Sequence, residues 1–194
     1  MASDPPVIVI AAGGDGTRIG GNKPALHFGG QRLIDRMIAW ARPQTDMLAL
    51  AVRPNDGDWG TGLPLLYDRH QNIGPISALS SAMQAARSRQ RENLLLIGCD
   101  LPFLPLDLIE RLSAGRENQI AAMPISHGRI HPMAGLWRVI PDQLEHWIEA
   151  GGQSMWRFAR DMGMAEVVWT ETPDPFTNIN DHATLVQAEA HLKS

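Results

Sequence analysis

The sequence predicts an α/β fold in which a mostly parallel central sheet is covered by helices on both faces. Three observations carry that prediction: short apolar runs rich in β-branched residues, longer segments of helical period between them, and turn-forming residues at the carboxyl ends of the runs. A strand buried on one face alternates apolar with polar residues, whereas a strand buried on both faces reads as unbroken hydrophobic sequence.

The first run, Val7-Ile8-Val9-Ile10-Ala11-Ala12, is of the second kind and leads straight into glycine. From Gly13 to Gly30 the chain also carries Gly14, Gly16, Gly20, Gly21 and Gly29, with Arg18 and Lys23 among them. Such a segment lets the backbone approach an anion closely. A helix follows over 31–42, with Leu33, Ile34, Met37, Ile38 and Ala41 on one face and Pro43 as its stop. Strands are expected over 47–52 and 63–67, the latter ending at Asp68. Gly74-Pro75 opens a helix that reaches about Arg89, with Ile76, Leu79, Met83 and Ala86 along its apolar stripe. Leu94 to Ile97 is a further buried strand that runs into Gly98-Cys99-Asp100-Leu101-Pro102, and a short helix from Pro105 to Leu112 is closed by Gly115. Later strands fit 120–124, 134–139 and 166–169, and later helices fit 141–150, 154–162 and 181–192, the last with Asn180 as N-cap.

The chain has 194 residues, which predicts a single domain spanning 1–194. With 44% hydrophobic and 20% charged residues it has the make-up of a folded globular protein. A net charge of −4 gives no general attraction to nucleic acid, so an anion must be held by a local site. The apolar run at 7–12 is far short of the roughly 20 residues of a membrane span. The start lacks the pattern of a secretory leader, and the lone Cys99 has no partner within the chain, so the expected location is the cytoplasm.

In parallel α/β sheets, ligands gather at the carboxyl ends of the strands. Ala11-Ala12-Gly13-Gly14, Asp68 and Cys99-Asp100 all follow directly on expected strands. The glycine loop is not a dinucleotide fingerprint, because position 19 is Ile where the third glycine belongs; nor is it a Walker A loop, because Asn22-Lys23-Pro24 stands where Lys and Ser or Thr are required. Backbone N–H groups of such a loop can still solvate phosphate oxygens, with Arg18 and Lys23 neutralising charge on a departing pyrophosphate. Asp100 suits a hard cation such as Mg²⁺; the competing role is to cap the turn that starts near Pro102. Cys99 is expected to be a small buried hydrophobe, since no basic group nearby in sequence would activate it.

The segment Ala11-Ala12-Gly13-Gly14-Asp15-Gly16-Thr17-Arg18-Ile19-Gly20-Gly21-Asn22-Lys23-Pro24 resembles the signature of the nucleotidyltransferase superfamily. With Asp68, Gly74-Pro75-Ile76-Ser77-Ala78, Cys99-Asp100-Leu101-Pro102-Phe103-Leu104-Pro105, His131-Pro132 and Asn178-Ile179-Asn180, nearly the whole chain is similar to the molybdenum cofactor guanylyltransferases of that superfamily. The resemblance implies a three-layer Rossmann-like nucleotidyltransferase fold. It also implies transfer of GMP from GTP to molybdopterin with release of pyrophosphate. By the same resemblance Ala11, Ala12, Gly13, Gly14, Lys23, Asp68 and Asp100 bind the nucleotide, Lys23, Arg18 and Asp100 serve catalysis, and Asp100 with Asn180 holds Mg²⁺. His131, Arg157 and Asn178 are expected on the acceptor side, and protein partners that deliver molybdopterin and serve the receiving molybdoenzyme are implied. One departure stands out: the family carries an Asn at the end of the second strand, where this chain has Leu50-Ala51-Val52.

Two rival readings use the same residues. A cytidylyltransferase acting on molybdopterin or on a sugar or polyol phosphate would differ in nucleotide preference, and a nucleotide-binding cofactor chaperone would bind without releasing pyrophosphate. Arg129, Arg138, Arg157 and Arg160 are possible receivers of a pterin phosphate, set against ordinary surface roles. His127 and His131 do not form a helical metal pair, because Gly128 and Pro132 break the helix. Trp40, Trp137, Trp147 and Trp156 are expected in the core.

Overall fold

The computed structural model describes residues 4–13 and 22–192. The expected Gly14 and Arg18 contributions therefore lie outside the described residues. In chain order the strands are β1 (Val7–Ala11), β2 (His27–Phe28), β3 (Gln31–Arg32), β4 (Leu48–Val52), β5 (Leu65–Tyr67), β6 (Asn93–Gly98), β7 (Ala121–Ser126), β8 (Arg129–Ile130), β9 (Ala134–Arg138) and β10 (Met164–Trp169). The helices are α1 (Leu33–Ala41), α2 (Ile76–Ser88), α3 (Leu108–Arg116), α4 (Pro141–Glu149), α5 (Met155–Met162) and α6 (His182–Leu192).

The main sheet has the order β10-β7-β9-β6-β1-β4-β5, with β8 paired to β7. Its neighbours along that order are parallel except at β9, which runs antiparallel to both β6 and β7. The unbroken apolar runs have the physical reason anticipated for them. In β1, Ile8 and Ile10 enter one core while Val7 and Val9 enter the other, and β6 divides Leu95 and Ile97 from Leu94 and Leu96 in the same way. Helices α1 and α3 cover the first face; α2, α4 and α5 cover the second. Each fully buried Leu or Ile side chain is worth about 1.5–3 kcal/mol, so these central strands are the main anchor of the fold.

A third, smaller core joins distant parts of the chain. Phe28 and Leu33 pack with Ile179, Leu185 and Ala188, so the β2–β3 hairpin and α6 hold each other. At the hairpin turn Gly29 has φ +58°, and a Cβ there would come within 2.5 Å of Leu192. The Phe28 ring also meets Phe103 edge-on at 5.5 Å, tying this core to the chain just beyond β6.

Several expected boundaries shift. The segment expected as one helix over 31–42 begins instead as the second strand of the hairpin, and α1 starts at Leu33. Gly115 does not close α3 but lies within it. A Cβ at that position would fall 2.6 Å from a Val167 methyl, so its absence lets the helix sit close against β10. Asn180 is not the cap of α6: the Asp181 carboxylate accepts the Thr184 N–H at 2.8 Å, while the Thr184 hydroxyl accepts the Asp181 N–H at 3.1 Å. Trp137 is wholly buried, but Trp156 lies partly exposed beneath Arg160, whose guanidinium is 5.0 Å from the ring centroid.

Candidate active site

The direction of the connections reverses at β1. Helix α1 leads on one face from β1 to β4, and α2 leads on the opposite face from β5 to β6. The carboxyl ends of β1, β4, β5 and β6 therefore open around a crevice, as expected at a topological switch point. A cavity of about 610 Å³ lies there. Ala11 and Gly13 contribute from the end of β1 and just past it, Ala51 and Arg53 from β4 and just past it, Asp68 from beyond β5, and Gly98, Cys99 and Asp100 from the last residue of β6 and the two that follow. Lys23, Met133 and Asn178 also line the cavity, as do Asn55 and the loop carrying His70.

Main-chain bonds fix the strand ends. Ala12 N–H donates to Ala51 C=O, Asp68 N–H to Val52 C=O and Cys99 N–H to Ala11 C=O, at 2.9–3.1 Å. The Asp100 C=O accepts the Ile179 N–H at 3.0 Å, which lays the segment bearing Asn178 and Asn180 alongside Asp100.

Lys23 occupies the focus of this end. Its Nζ is 2.6 Å from Asp100 Oδ2 and 2.7 Å from Asn180 Oδ1. Residues separated by 157 positions meet here because one precedes the hairpin and the other precedes α6, and the small third core clamps those elements together. The Asp100 side chain is only 16% exposed and faces Lys23 in the cavity wall. Asp107, not Asp100, stands before α3.

A carboxylate and an amide oxygen converge on the Lys23 ammonium, a cation already in place between two hard donors. That donor set suits Mg²⁺, which takes one or two protein oxygens and completes its shell with water and phosphate. Among the described residues no cluster of three or more His, Cys, Asp or Glu side chains could hold a metal by protein groups alone.

At the other end, burial pushes the Asp68 carboxyl above the usual carboxylate range, with Asp56 adding to the effect and the Ser77 hydroxyl and Arg53 opposing it. Burial also pushes the Cys99 thiol up to about 12, and the charge of Asp100 reinforces this. Cys99 is thus the inert small hydrophobe its sequence context suggested.

Several lining groups carried no decisive sequence signal. Arg53 pairs with Asp56 at 3.1 Å, and Asn55 in the same turn also lines the cavity. An asparagine is therefore present just past β4, although Ala51 stands within the strand where the resemblance called for Asn. Trp59 Nε1 donates to Asn22 Oδ1 at 2.6 Å, bracing the residue before Lys23. The turn composition of 53–58 marked a loop there, but nothing local indicated what that loop would touch.

The acceptor-side expectations separate. Asn178 lines the cavity. His131 is not itself a lining residue, although Met133 two positions on is; its ring stacks on Phe176 at 4.9 Å and its Nε2 lies 2.7 Å from Ser126 Oγ. The Ser126 hydroxyl donates to Asp174 Oδ2 at 3.0 Å, which assigns the Nε2 proton to His131. Burial lowers the pKa of this imidazole, opposed by Asp174 and aided by Arg129. Arg157 is not brought to the cavity; it borders a separate depression with Trp147 and Gly152. Arg138 donates to the Gln119 carbonyl and Arg160 pairs with Asp161, so both have structural roles.

The sequence profile of the MobA-like NTP transferase domain matches residues 8–166. A molybdenum cofactor guanylyltransferase from Acidiphilium cryptum is 37% identical over 187 residues, covering 94% of this chain and 93% of that protein. One from Rhodobacter capsulatus is 37% identical over 188 residues, covering 95% of each. Among solved structures, molybdopterin-guanine dinucleotide biosynthesis protein A from Archaeoglobus fulgidus superposes with a TM-score of 0.75 at 20% identity, covering 96% of this chain and 98% of that one.

Proposed function

The chain belongs to the MobA-like NTP transferase family and is a nucleotidyltransferase, and from that premise we propose that it transfers GMP from GTP to molybdopterin and releases pyrophosphate. The observation that carries the proposal is the convergence of Lys23, Asp100 and Asn180 at one end of a cavity whose other end is walled by Asp68. This polarity suits a nucleoside triphosphate, with the Lys23 ammonium at one end for the phosphates and the Asp68 side left for the nucleoside. The guanylyl identity rests on the relatives named above, since backbone groups can read a base without leaving a residue signature.

In the proposed reaction, an oxygen of the molybdopterin phosphate attacks the α-phosphorus of GTP in line. The bond to the pyrophosphate oxygen breaks as the new phosphorus–oxygen bond forms, so no covalent enzyme intermediate is required. Asp100 and Asn180 would hold Mg²⁺, which supplies positive charge to the triphosphate and polarises it. Lys23 offsets charge on the phosphates, and Arg18 is proposed to do so from the glycine loop. Ala11, Ala12 and Gly13 are proposed to cradle the nucleotide through their backbone, Gly14 is proposed to bind it from the glycine loop, and Asp68 is proposed to orient the nucleoside. His131 and Asn178 are proposed to face the acceptor. Proteins that deliver molybdopterin or serve molybdoenzymes are the proposed partners. The cytoplasm is the proposed location; among the described residues no helix is long and apolar enough to cross a membrane.

The test is direct. Purified chain with Mg²⁺, GTP and molybdopterin should yield the guanine dinucleotide and stoichiometric pyrophosphate, and GTP should raise the thermal midpoint more than CTP. Asp100→Asn should lower kcat by about 100-fold or more. Wild-type turnover by that variant would remove Asp100 from the site, and preferred use of CTP would reassign the donor.

A further inference from the structure

The loop from Asp68 to Pro75 forms the nucleoside-side wall of the cavity, and one of its lining residues, His70, is held by a helix that lines no part of it. His70 Nε2 lies 2.9 Å from Glu145 Oε2 on α4. The other oxygen of Glu145 accepts the Ser80 hydroxyl of α2 at 2.5 Å. Glu145 is thereby fixed by both of its oxygens, and its side chain is only 21% exposed.

The loop has a second anchor. The His70 N–H donates to Ser77 Oγ at 3.1 Å, and the same hydroxyl steadies the ionised form of Asp68. The turn between His70 and Ser77 contains Asn72 at φ +61° and Gly74 at φ +73°, and it closes with the Ser77 N–H donating to the Gly74 carbonyl at 3.1 Å. Ser77 holds His70 through its main-chain N–H and Ile73 packs against the second core, while the His70–Glu145 contact adds a side-chain tie from α4.

We propose that Glu145 is a positioning residue for the nucleoside end of the cavity, acting through His70 to hold the Asp68–Pro75 loop in its binding position. This rests on the nucleotidyltransferase reading and adds to it a residue 75 positions from His70 and outside every motif of the sequence. Glu145 does not touch the cavity, so its effect falls on nucleoside recognition and leaves the phosphate end, built on Lys23 and Asp100, untouched.

The experiment compares wild type, Glu145→Ala, His70→Ala and the double variant. It measures Kd for GTP and for inorganic pyrophosphate, both with Mg²⁺, together with KM, kcat and Tm. Each single variant should weaken GTP binding and raise KM by about fivefold or more, with kcat within about twofold of wild type and pyrophosphate affinity unchanged. The double variant should bind GTP no more weakly than the weaker single variant, because both substitutions cut one connection. Should Glu145→Ala fail to fold, Glu145→Gln and His70→Phe supply the same comparison while keeping side-chain bulk. Unchanged GTP affinity in the single variants would overturn the proposal, as would parallel loss of GTP and pyrophosphate binding. If wild type itself bound no GTP, the guanylyltransferase reading would fall first and this inference with it.

Discussion

Asp100 Oδ1 lies 2.5 Å from the point where a Cβ on Gly98 would stand. The two residues flank Cys99 at the end of β6, and the missing side chain of one is the space occupied by the carboxylate of the other. Gly98→Ala should therefore displace Asp100 rather than unfold the sheet. We expect kcat to fall by about 100-fold, since misplacing a reacting group by an ångström has that scale of effect, while Tm changes little. A variant with full activity would show that Asp100 can serve from another position.

Asn180 and Asp181 are adjacent but perform separable tasks. Asp181→Ala removes the carboxylate that accepts the Thr184 N–H and should destabilise the fold by about 0.5–2 kcal/mol, measured by denaturant unfolding. Asn180→Ala removes an acceptor of the Lys23 ammonium and should reduce turnover with little effect on stability. Exchange of these two outcomes would restore Asn180 as the cap.

Asp68 should reveal itself through pH. Burial raises its pKa in the folded chain, so the folded state binds its proton more tightly than the unfolded chain does. The resulting stabilisation is fully present below the ordinary carboxylate pKa and is lost as pH rises through the elevated value. Asp68→Asn should accordingly raise Tm at pH 7, with the gain disappearing on acidification, while GTP binding weakens. A gain that persisted unchanged at low pH would contradict this origin.

Cys99 should resist thiol reagents. With its pKa pushed up to about 12 and its side chain buried, almost no thiolate is available at pH 8. Labelling of the native chain should be negligible over the time in which the denatured chain reacts completely. Rapid native labelling would place Cys99 at an open part of the cavity.

Much of this arrangement was legible in the residues. β1, β4 and β6 announced themselves because strands buried on both faces leave no polar positions, and Lys23, Asp68 and Asp100 stood beside those strands or in a recognisable motif. The two-residue strands of the β2–β3 hairpin are too short to give a period, so β2 falls within the glycine-rich segment and the helical stripe of α1 absorbs β3. At α6, Asn180 and Asp181 are both good caps by composition, and only the position of Lys23 separates their roles. The Glu145–His70 contact was not legible at all, because it depends on how α4 settles against α2 across the second core.

The reversed direction of β9 has a consequence for how the crevice can change. Its neighbour β6, like β1 beyond it, ends at the cavity, whereas β9 starts there, with Ala134 paired to Ile97 and the Met133 carbonyl accepting the Gly98 N–H at 2.8 Å. Residues arriving from the β8 hairpin thus enter the crevice against the traffic of every other loop. An insertion or replacement in 127–133 can reshape that wall without altering the connections that carry Asp68, Asp100 or Lys23. The Met133 side of the crevice is in this sense delivered by a separate stretch of chain, joined to the Asp100 side through the Gly98–Met133 main-chain bond.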